Sequence, residues 1–255
     1  MTDSRARRRF LMQSISIVGG LLLAGCDRLS NSRWFTRMLA VAESLNAAVK
    51  KGTATRLSMA QEFSASDLSP SFRSNGTSRP SSAEYDRLAA GEFADYRLQV
   101  GGLVATPLSL SLDEIRALPS RTQITRHDCV EGWSAIGKWK GARLSALLQK
   151  AQPSSAAKYV VFRCADSLDA SGSPYYESID MDDAYHEQTL LAYELNDAVL
   201  PIENGAPLRL RVERQLGYKM AKYVMRIDLV DRLDDIGGGQ GGYWEDQGYQ
   251  WYAGI

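Results

Sequence analysis

The stretch TRHDCVEGWSAIGKW, residues 125–139, sets one thiol, Cys129, between a polar, charged run and an aromatic segment that contains glycine. Residues 123–128 read as a strand, and Glu131-Gly132-Trp133 follows, where glycine lets backbones approach closely. On a strand, side chains alternate with period two, so His127 and Cys129 share a face. A thiolate is both a nucleophile and a metal ligand, and it needs a polar, electropositive neighbourhood of the kind that His127 and Arg126 supply. The competing expectation is a staple: the body of the chain carries one more cysteine, Cys164, and in an oxidising compartment two cysteines usually pair.

Outward from this stretch, the body alternates short strands with short helices. Residues 96–100 alternate with period two, and residues 158–164 form a β-branched run. Residues 189–200 carry two apolar runs around Asn196-Asp197, a hairpin signal, and residues 208–212 and 222–230 are further alternating strands around Gly217. Ser111 and Glu114 make a capping box that opens a short helix ending before Pro119, and residues 141–151 read as a helix stopped by Pro153. Residues 60–83, rich in Ser, Pro, Arg and Asn, read as loop, with residues 72–76 as a candidate functional segment. The glycine run 237–242 is a loop, followed by Trp244, Tyr249, Trp251 and Tyr252, expected to pack onto the body. No regular strand-helix-strand rhythm is present, so the expected class is α+β, with mixed sheets and short helices.

The N-terminus reads RARRRFLMQSISIVGGLLLAGCDRLS, residues 5–30. Its apolar stretch is shorter and more polar than the roughly 20 residues that a spanning helix needs, so residues 1–25 are expected to be a signal peptide. Arg7-Arg8-Arg9-Phe10-Leu11 fits the twin-arginine export pattern, an address read by machinery that carries folded proteins. Leu23-Ala24-Gly25-Cys26 resembles a lipobox, in which Cys26 becomes the acylated first residue of the mature chain. With Asp27 behind it, the expected location is the periplasm, anchored to the inner membrane. Residues 26–60 are expected to be an amphipathic helix and linker, with Trp34, Met38, Val41, Leu45 and Val49 on one face, and residues 61–255 one domain.

The formal charge is zero, with 30 basic and 30 acidic residues. Loss of four arginines and one aspartate with the signal leaves a net of about −3, so neither nucleic acid nor an anionic membrane is an expected main partner. The 44% hydrophobic content is enough for an ordinary core. There is no G-x-S-x-G elbow, no clustered zinc ligands, no G-x-G-x-x-G that follows a strand to open a helix and no C-x-x-C-H. Arg209 and Arg211 share one face of their strand, with Lys219 and Lys222 after the next turn. That face is either solvated or built for an anionic cofactor, since arginine binds phosphate bidentately.

Asp128-Cys129-Val130-Glu131-Gly132-Trp133-Ser134 and Asn204-Gly205-Ala206-Pro207-Leu208-Arg209, together with residues 72–76, resemble the molybdopterin-binding domain of the sulfite oxidase family. Within it they are similar to a bacterial branch that includes periplasmic methionine-sulfoxide reductases. The resemblance implies the fold of that family and a molybdenum cofactor with a single molybdopterin. It makes Cys129 the protein ligand to the metal, with Glu131 beside the open position. It places Asn75 at the pterin, Arg209 at the phosphate, and Met220, Ala221 and Lys222 around that phosphate, with Ser178 and Asn204 as further cofactor contacts.

The expected activity is two-electron or oxo-transfer chemistry on a small S-oxide, N-oxide or related molecule. Electrons come from a separate carrier, a membrane cytochrome b or a cytochrome c. Where sulfite oxidases carry an anion-binding segment after their cysteine, this chain has Val130-Glu131-Gly132-Trp133, which opposes sulfite. A sulfite dehydrogenase-like enzyme and a cofactor-free thiol oxidoreductase using Cys129 with His127 are the alternatives, and a non-catalytic lipoprotein with a Cys129–Cys164 disulfide is a third. Lacking the immunoglobulin-like extension of dimeric sulfite oxidases, the chain is expected to be a monomer.

Overall fold

The computed structural model describes residues 58–168 and 172–255, together with 32–35, 37–39, 41, 42 and 45 nearer the N-terminus. The export signal, the lipobox and Cys26 lie outside the described residues. The chain divides into two compact units, Met1–Thr55 and Arg56–Ile255. In the first, residues 33–35, 37–39, 41, 42 and 45 are helical, as the spacing of Trp34, Met38, Val41 and Leu45 predicts.

In the second unit the described strands are β1 (Leu98–Gly102), β2 (Leu108–Leu110), β3 (Ser120–Cys129), β4 (Trp133–Arg143), β5 (Tyr159–Cys164), β6 (Tyr176–Asp180), β7 (Leu190–Leu195), β8 (Ala198–Val199), β9 (Arg209–Arg211) and β10 (Val224–Val230). One sheet has the order β2-β1-β10-β5-β6, with β1 and β10 parallel and the other neighbours antiparallel. The other runs β3-β4-β7-β8, with β9 paired to β7, and is antiparallel throughout. The short α-helices among the described residues of this unit are α1 (Ala83–Ala90) before β1, α2 (Leu112–Arg116), α3 (Leu144–Ala151) and α4 (Met181–Ala184) between strands, and α5 (Tyr243–Asp246) after β10. Mixed sheets with short helices are the expected α+β class.

Apolar residues from both sheets and from α3 meet in the main core, where Leu98, Phe162, Leu191, Leu210, Ile227 and Leu147 are fully buried. Truncating Phe162 to alanine should cost about 3–5 kcal/mol, since the transfer and cavity penalties add. A smaller cluster holds Trp139, Ala192, Leu195 and Leu200, with Phe72 packed against it. Phe72 thus ties the 60–83 loop to the second sheet.

Several local expectations hold. Ser111 and Glu114 form the capping box of α2. Asn196 and Asp197 turn the β7–β8 hairpin with φ of 52° and 63°, the left-handed pair that a two-residue primed turn requires. Others are corrected. The helix expected over 141–151 starts at Leu144, because Gly141 continues β4 opposite Ala192. A Cβ at Gly141 would lie 2.4 Å from the Leu191 carbonyl oxygen, so only glycine permits this pairing. The strand expected over 96–100 runs from Leu98 to Gly102, while Tyr96 is buried beside it and donates its hydroxyl to the Val224 carbonyl at 2.5 Å. The strand expected from Lys222 begins at Val224, since Tyr223 has φ of 54°.

Candidate functional site

The β3–β4 hairpin delivers Cys129 to the site. Its register pairs Cys129 with Trp133, leaving Val130, Glu131 and Gly132 as the tip. Gly132 has φ of 84°, a left-handed conformation suited to glycine, and its N–H donates to the Cys129 carbonyl at 3.1 Å. The thiol at the strand end is half-buried and borders a cavity of about 190 Å³. Cys129 and Cys164 are both free, so the disulfide expectation is overturned. Cys164 is buried at the end of β5 in the other sheet.

The cavity brings Asn75, Cys129, Glu131, Met220 and Lys222 together, from three separate segments of the chain. Arg209 and Asn204 stand behind its polar end. The Arg209 guanidinium is fully buried and donates to the Asn204 carbonyl at 3.0 Å and to Asn75 Oδ1 at 2.9 Å. Lys222 Nζ donates to the carbonyls of Thr77 and, at 2.9 Å, Glu203. The solvated face considered for this strand is therefore absent: Arg209, Leu210 and Arg211 are all buried. Ala221 is buried next to Lys222, its carbonyl accepting from Leu210 N at 2.8 Å, and the Met220 N–H is taken by the Gly217 carbonyl at 3.1 Å.

Ser178 is not part of this assembly. It lies within β6, where its hydroxyl donates to the Gly241 carbonyl at 2.5 Å and accepts from Trp251 Nε1 at 2.8 Å. The bonding capacity expected to serve a cofactor instead ties down the C-terminal tail.

Charge at the polar end is unbalanced. Burial, then the nearby Arg211, pulls the Arg209 guanidinium down to about 9, and burial with Arg209 pulls the Lys222 ammonium down to about 7. Arg209 Nε and Asn204 Nδ2 are buried without a partner among the described residues. Buried cations with unused donors are costly unless an anion meets them. An anionic group such as the phosphate of a pterin cofactor would relieve that cost, so the residues fit it. Among the described residues no three His, Cys, Asp or Glu side chains converge as a metal site, so a metal beside Cys129 would need further ligands from the cofactor itself.

Glu131 lies beside the thiol. Its Oε2 accepts from Trp133 Nε1 at 3.0 Å and its Oε1 from Gly76 N at 3.1 Å, and these bonds hold the carboxyl below its ordinary range. Burial pushes the Cys129 thiol up, and coordination by a metal would offset this by deprotonating it outright. His127 is fully buried two residues away, between Arg211, Met220 and the rings of Phe72 and Trp133. Burial, then Arg209 and Arg211, holds its imidazole far below the usual value. It therefore supplies no imidazolium to a reactive thiolate, which tells against the cofactor-free thiol reading. His186 is buried, and its Nδ1 accepts from Gln188 N at 3.2 Å.

Residues not singled out as site residues complete the cavity. Asp166 and Thr77 lie at the polar end, where burial raises the Asp166 carboxyl to about 6. Tyr218, Trp244 and Tyr249 form an aromatic side. The only sequence signal for the last two was aromatic enrichment after the glycine run.

The family model for the oxidoreductase molybdopterin-binding domain matches residues 87–235. A putative protein-methionine-sulfoxide reductase subunit, YedZ1, of Azospira oryzae is 37% identical over 98% of this chain and 88% of its own length. The protein-methionine-sulfoxide reductase catalytic subunit MsrP of Xanthomonas axonopodis is 32% identical over 89% of this chain and 71% of its own. That of Ralstonia nicotianae is 36% identical over 63% and 51%. Among solved structures, the sulfane dehydrogenase SoxCD of Paracoccus pantotrophus aligns with a TM-score of 0.49 and 26% identity, covering 55% of this chain and 39% of that one.

Proposed function

The chain belongs to the oxidoreductase molybdopterin-binding domain family and is a molybdenum-dependent oxidoreductase, and on that footing we propose that it is a reductase of small S-oxides. Overall, the S-oxide accepts two electrons and two protons, its sulfur–oxygen bond breaks, and the sulfide and one water leave. The observation that carries this reading is the single thiol of Cys129 on a cavity that Asn75 and Lys222 also line, with Arg209 bonded to Asn75 behind them. Relatives named as methionine-sulfoxide reductase subunits support the direction of the reaction.

In this reading the Cys129 thiolate holds molybdenum, while Arg209, Lys222, Asn75 and Asn204, with the 220–222 backbone, hold the phosphate end of one molybdopterin. When bound, the cofactor supplies the two-electron oxo-transfer chemistry. The protein's part is orientation and electrostatics. Glu131, fixed by Gly76 and Trp133, keeps a negative charge beside Cys129. Such a charge repels an anion and leaves a neutral S-oxide or N-oxide unaffected, which disfavours sulfite. Electrons arrive from a separate carrier, a membrane cytochrome b or a cytochrome c. The twin-arginine pattern and the lipobox at Cys26 support a mature protein in the periplasm, lipid-anchored to the inner membrane.

Turnover tests this directly, using protein made in a molybdopterin-competent host, a reduced viologen as donor, and dimethyl sulfoxide, methionine sulfoxide and trimethylamine N-oxide as acceptors. S-oxide-dependent viologen oxidation, lost in Cys129→Ser, is expected. Sulfite oxidation without any S-oxide reduction would overturn the proposal.

A further inference from the structure

The cavity has two unlike ends. The donors that fit an anion lie together on one side, at Asn75 and Lys222 with Arg209 behind. The other side is aromatic: Tyr249 lies 5.3 Å from Tyr218 and 5.2 Å from Trp244, ring centre to ring centre. Two large apolar residues on the cavity lining, Val130 and Tyr249, are 44% and 41% exposed. Exposed apolar surface on a cavity that also borders the Cys129 thiol marks a place for an apolar group.

The aromatic side is preorganised. Trp244 belongs to α5 and Tyr249 follows it, with Tyr249 N donating to the Trp244 carbonyl at 3.0 Å. Beneath them Lys219, fully buried and adjacent to Tyr218, donates from Nζ at 2.5 Å to Glu177 on β6 and at 2.5 Å to Glu245 on α5. One lysine thus binds the tail, β6 and the Tyr218 segment together. The Tyr218 hydroxyl adds a bond to the Gln250 carbonyl at 2.6 Å, and the Tyr175 hydroxyl one to the Tyr218 carbonyl at 2.8 Å. Rings held this way lose little freedom when a ligand stacks on them.

We propose that Tyr218, Trp244 and Tyr249 form a specificity-determining wall that receives the apolar, preferentially aromatic, substituent of the substrate, so that aryl S-oxides are selected over dimethyl sulfoxide. Sulfur and aryl groups both pack favourably on aromatic rings, and a small polar substrate forgoes that contact. This rests on the S-oxide reading above, which its test is designed to judge separately.

Binding and turnover are measured on the molybdenum-loaded protein. Methyl phenyl sulfone and dimethyl sulfone, as non-reacting analogues, are titrated by calorimetry against the wild type, Trp244→Ala and Tyr249→Ala. The aryl sulfone should bind the wild type at least about tenfold more tightly, a preference that shrinks by about tenfold in each variant. The ratio of kcat/KM for methyl phenyl sulfoxide over dimethyl sulfoxide should fall in parallel, through KM, with molybdenum content retained. A wild type that binds both sulfones equally, or variants that keep the wild-type ratio, would overturn the wall. Should Trp244→Ala lose its fold, the half-exposed Tyr249→Ala decides alone. If neither sulfoxide is reduced while the sulfone preference behaves as expected, the S-oxide reading fails and the wall stands.

Discussion

Arg211 Nη1 donates to His127 Nδ1 at 3.1 Å, inside the protein and two residues from the thiol of Cys129. A guanidinium can only donate, so Nδ1 accepts and the proton of the neutral imidazole sits on Nε2. The histidine that strand alternation sets on the same face as the thiol is a neutral support beneath it.

A stability consequence follows from that neutrality. The folded state holds His127 well below its ordinary value of 6.5, so as pH falls through about 6.5 the unfolded chain takes up a proton that the folded chain refuses. The stability that His127 contributes is full above this range and is lost below it, by up to about 1.4 kcal/mol per pH unit. Urea titrations between pH 7.5 and 5 should show this slope in the wild type and a shallower one in His127→Gln.

Gly217 leaves room for the same ring. A Cβ there would lie 2.4 Å from His127 Cε1 and 2.5 Å from Nε2, closer than any relaxed contact. Gly217→Ala should destabilise by about 1–3 kcal/mol, as overpacking does. Because the displaced ring sits on the strand that carries Cys129, purified Gly217→Ala should also retain less molybdenum, measured by elemental analysis.

Arg211 and Glu213 form a buried ion pair, Nε to Oε1 at 2.9 Å and Nη2 to Oε2 at 2.6 Å, with both side chains fully buried. Glu213→Ala strands the guanidinium and should cost about 3–5 kcal/mol. Arg211→Met combined with Glu213→Leu should cost less than the two single changes summed. A double-mutant cycle of urea midpoints measures the coupling.

Burial raises the Cys129 thiol above its ordinary value of 9.0. In cofactor-free protein its alkylation by iodoacetamide should be slow at pH 7 and keep accelerating, by about tenfold per pH unit, to beyond pH 9. A rate already level at neutral pH would indicate an activated nucleophile and favour thiol chemistry without metal.

Cys129 and Lys222 were legible from residue chemistry and Asn75 and Glu131 only from the family resemblance, and the rest was hidden for identifiable reasons. Cys129, Glu131, Asn75 and Lys222 meet at one cavity because the residues flanking them dictate local geometry: the glycine at 132, the strand before it and the turn at 217. Strand β4 escaped notice because its buried face is Ala135, Gly137, Trp139 and Gly141, small residues apart from Trp139, which show little apolar alternation. Gly137 is small because Phe72 packs on it, a contact from a distant loop. The burial of Arg209 and Arg211 depended on Trp139, whose ring lies 5.4 Å and 4.3 Å from the two guanidinium carbons. Ser178, carried over by the resemblance alone, misled because the position of a hydroxyl in the sequence does not reveal which neighbour it bonds.

Molybdenum K-edge X-ray absorption on the wild type and on Cys129→Ser, both made in a molybdopterin-competent host, tests most directly whether the thiol of Cys129 binds the metal. One sulfur neighbour fewer at molybdenum in the variant, or loss of the metal altogether, is the expected result. The same sulfur coordination in both proteins, or a wild type that takes up no molybdenum, would contradict it.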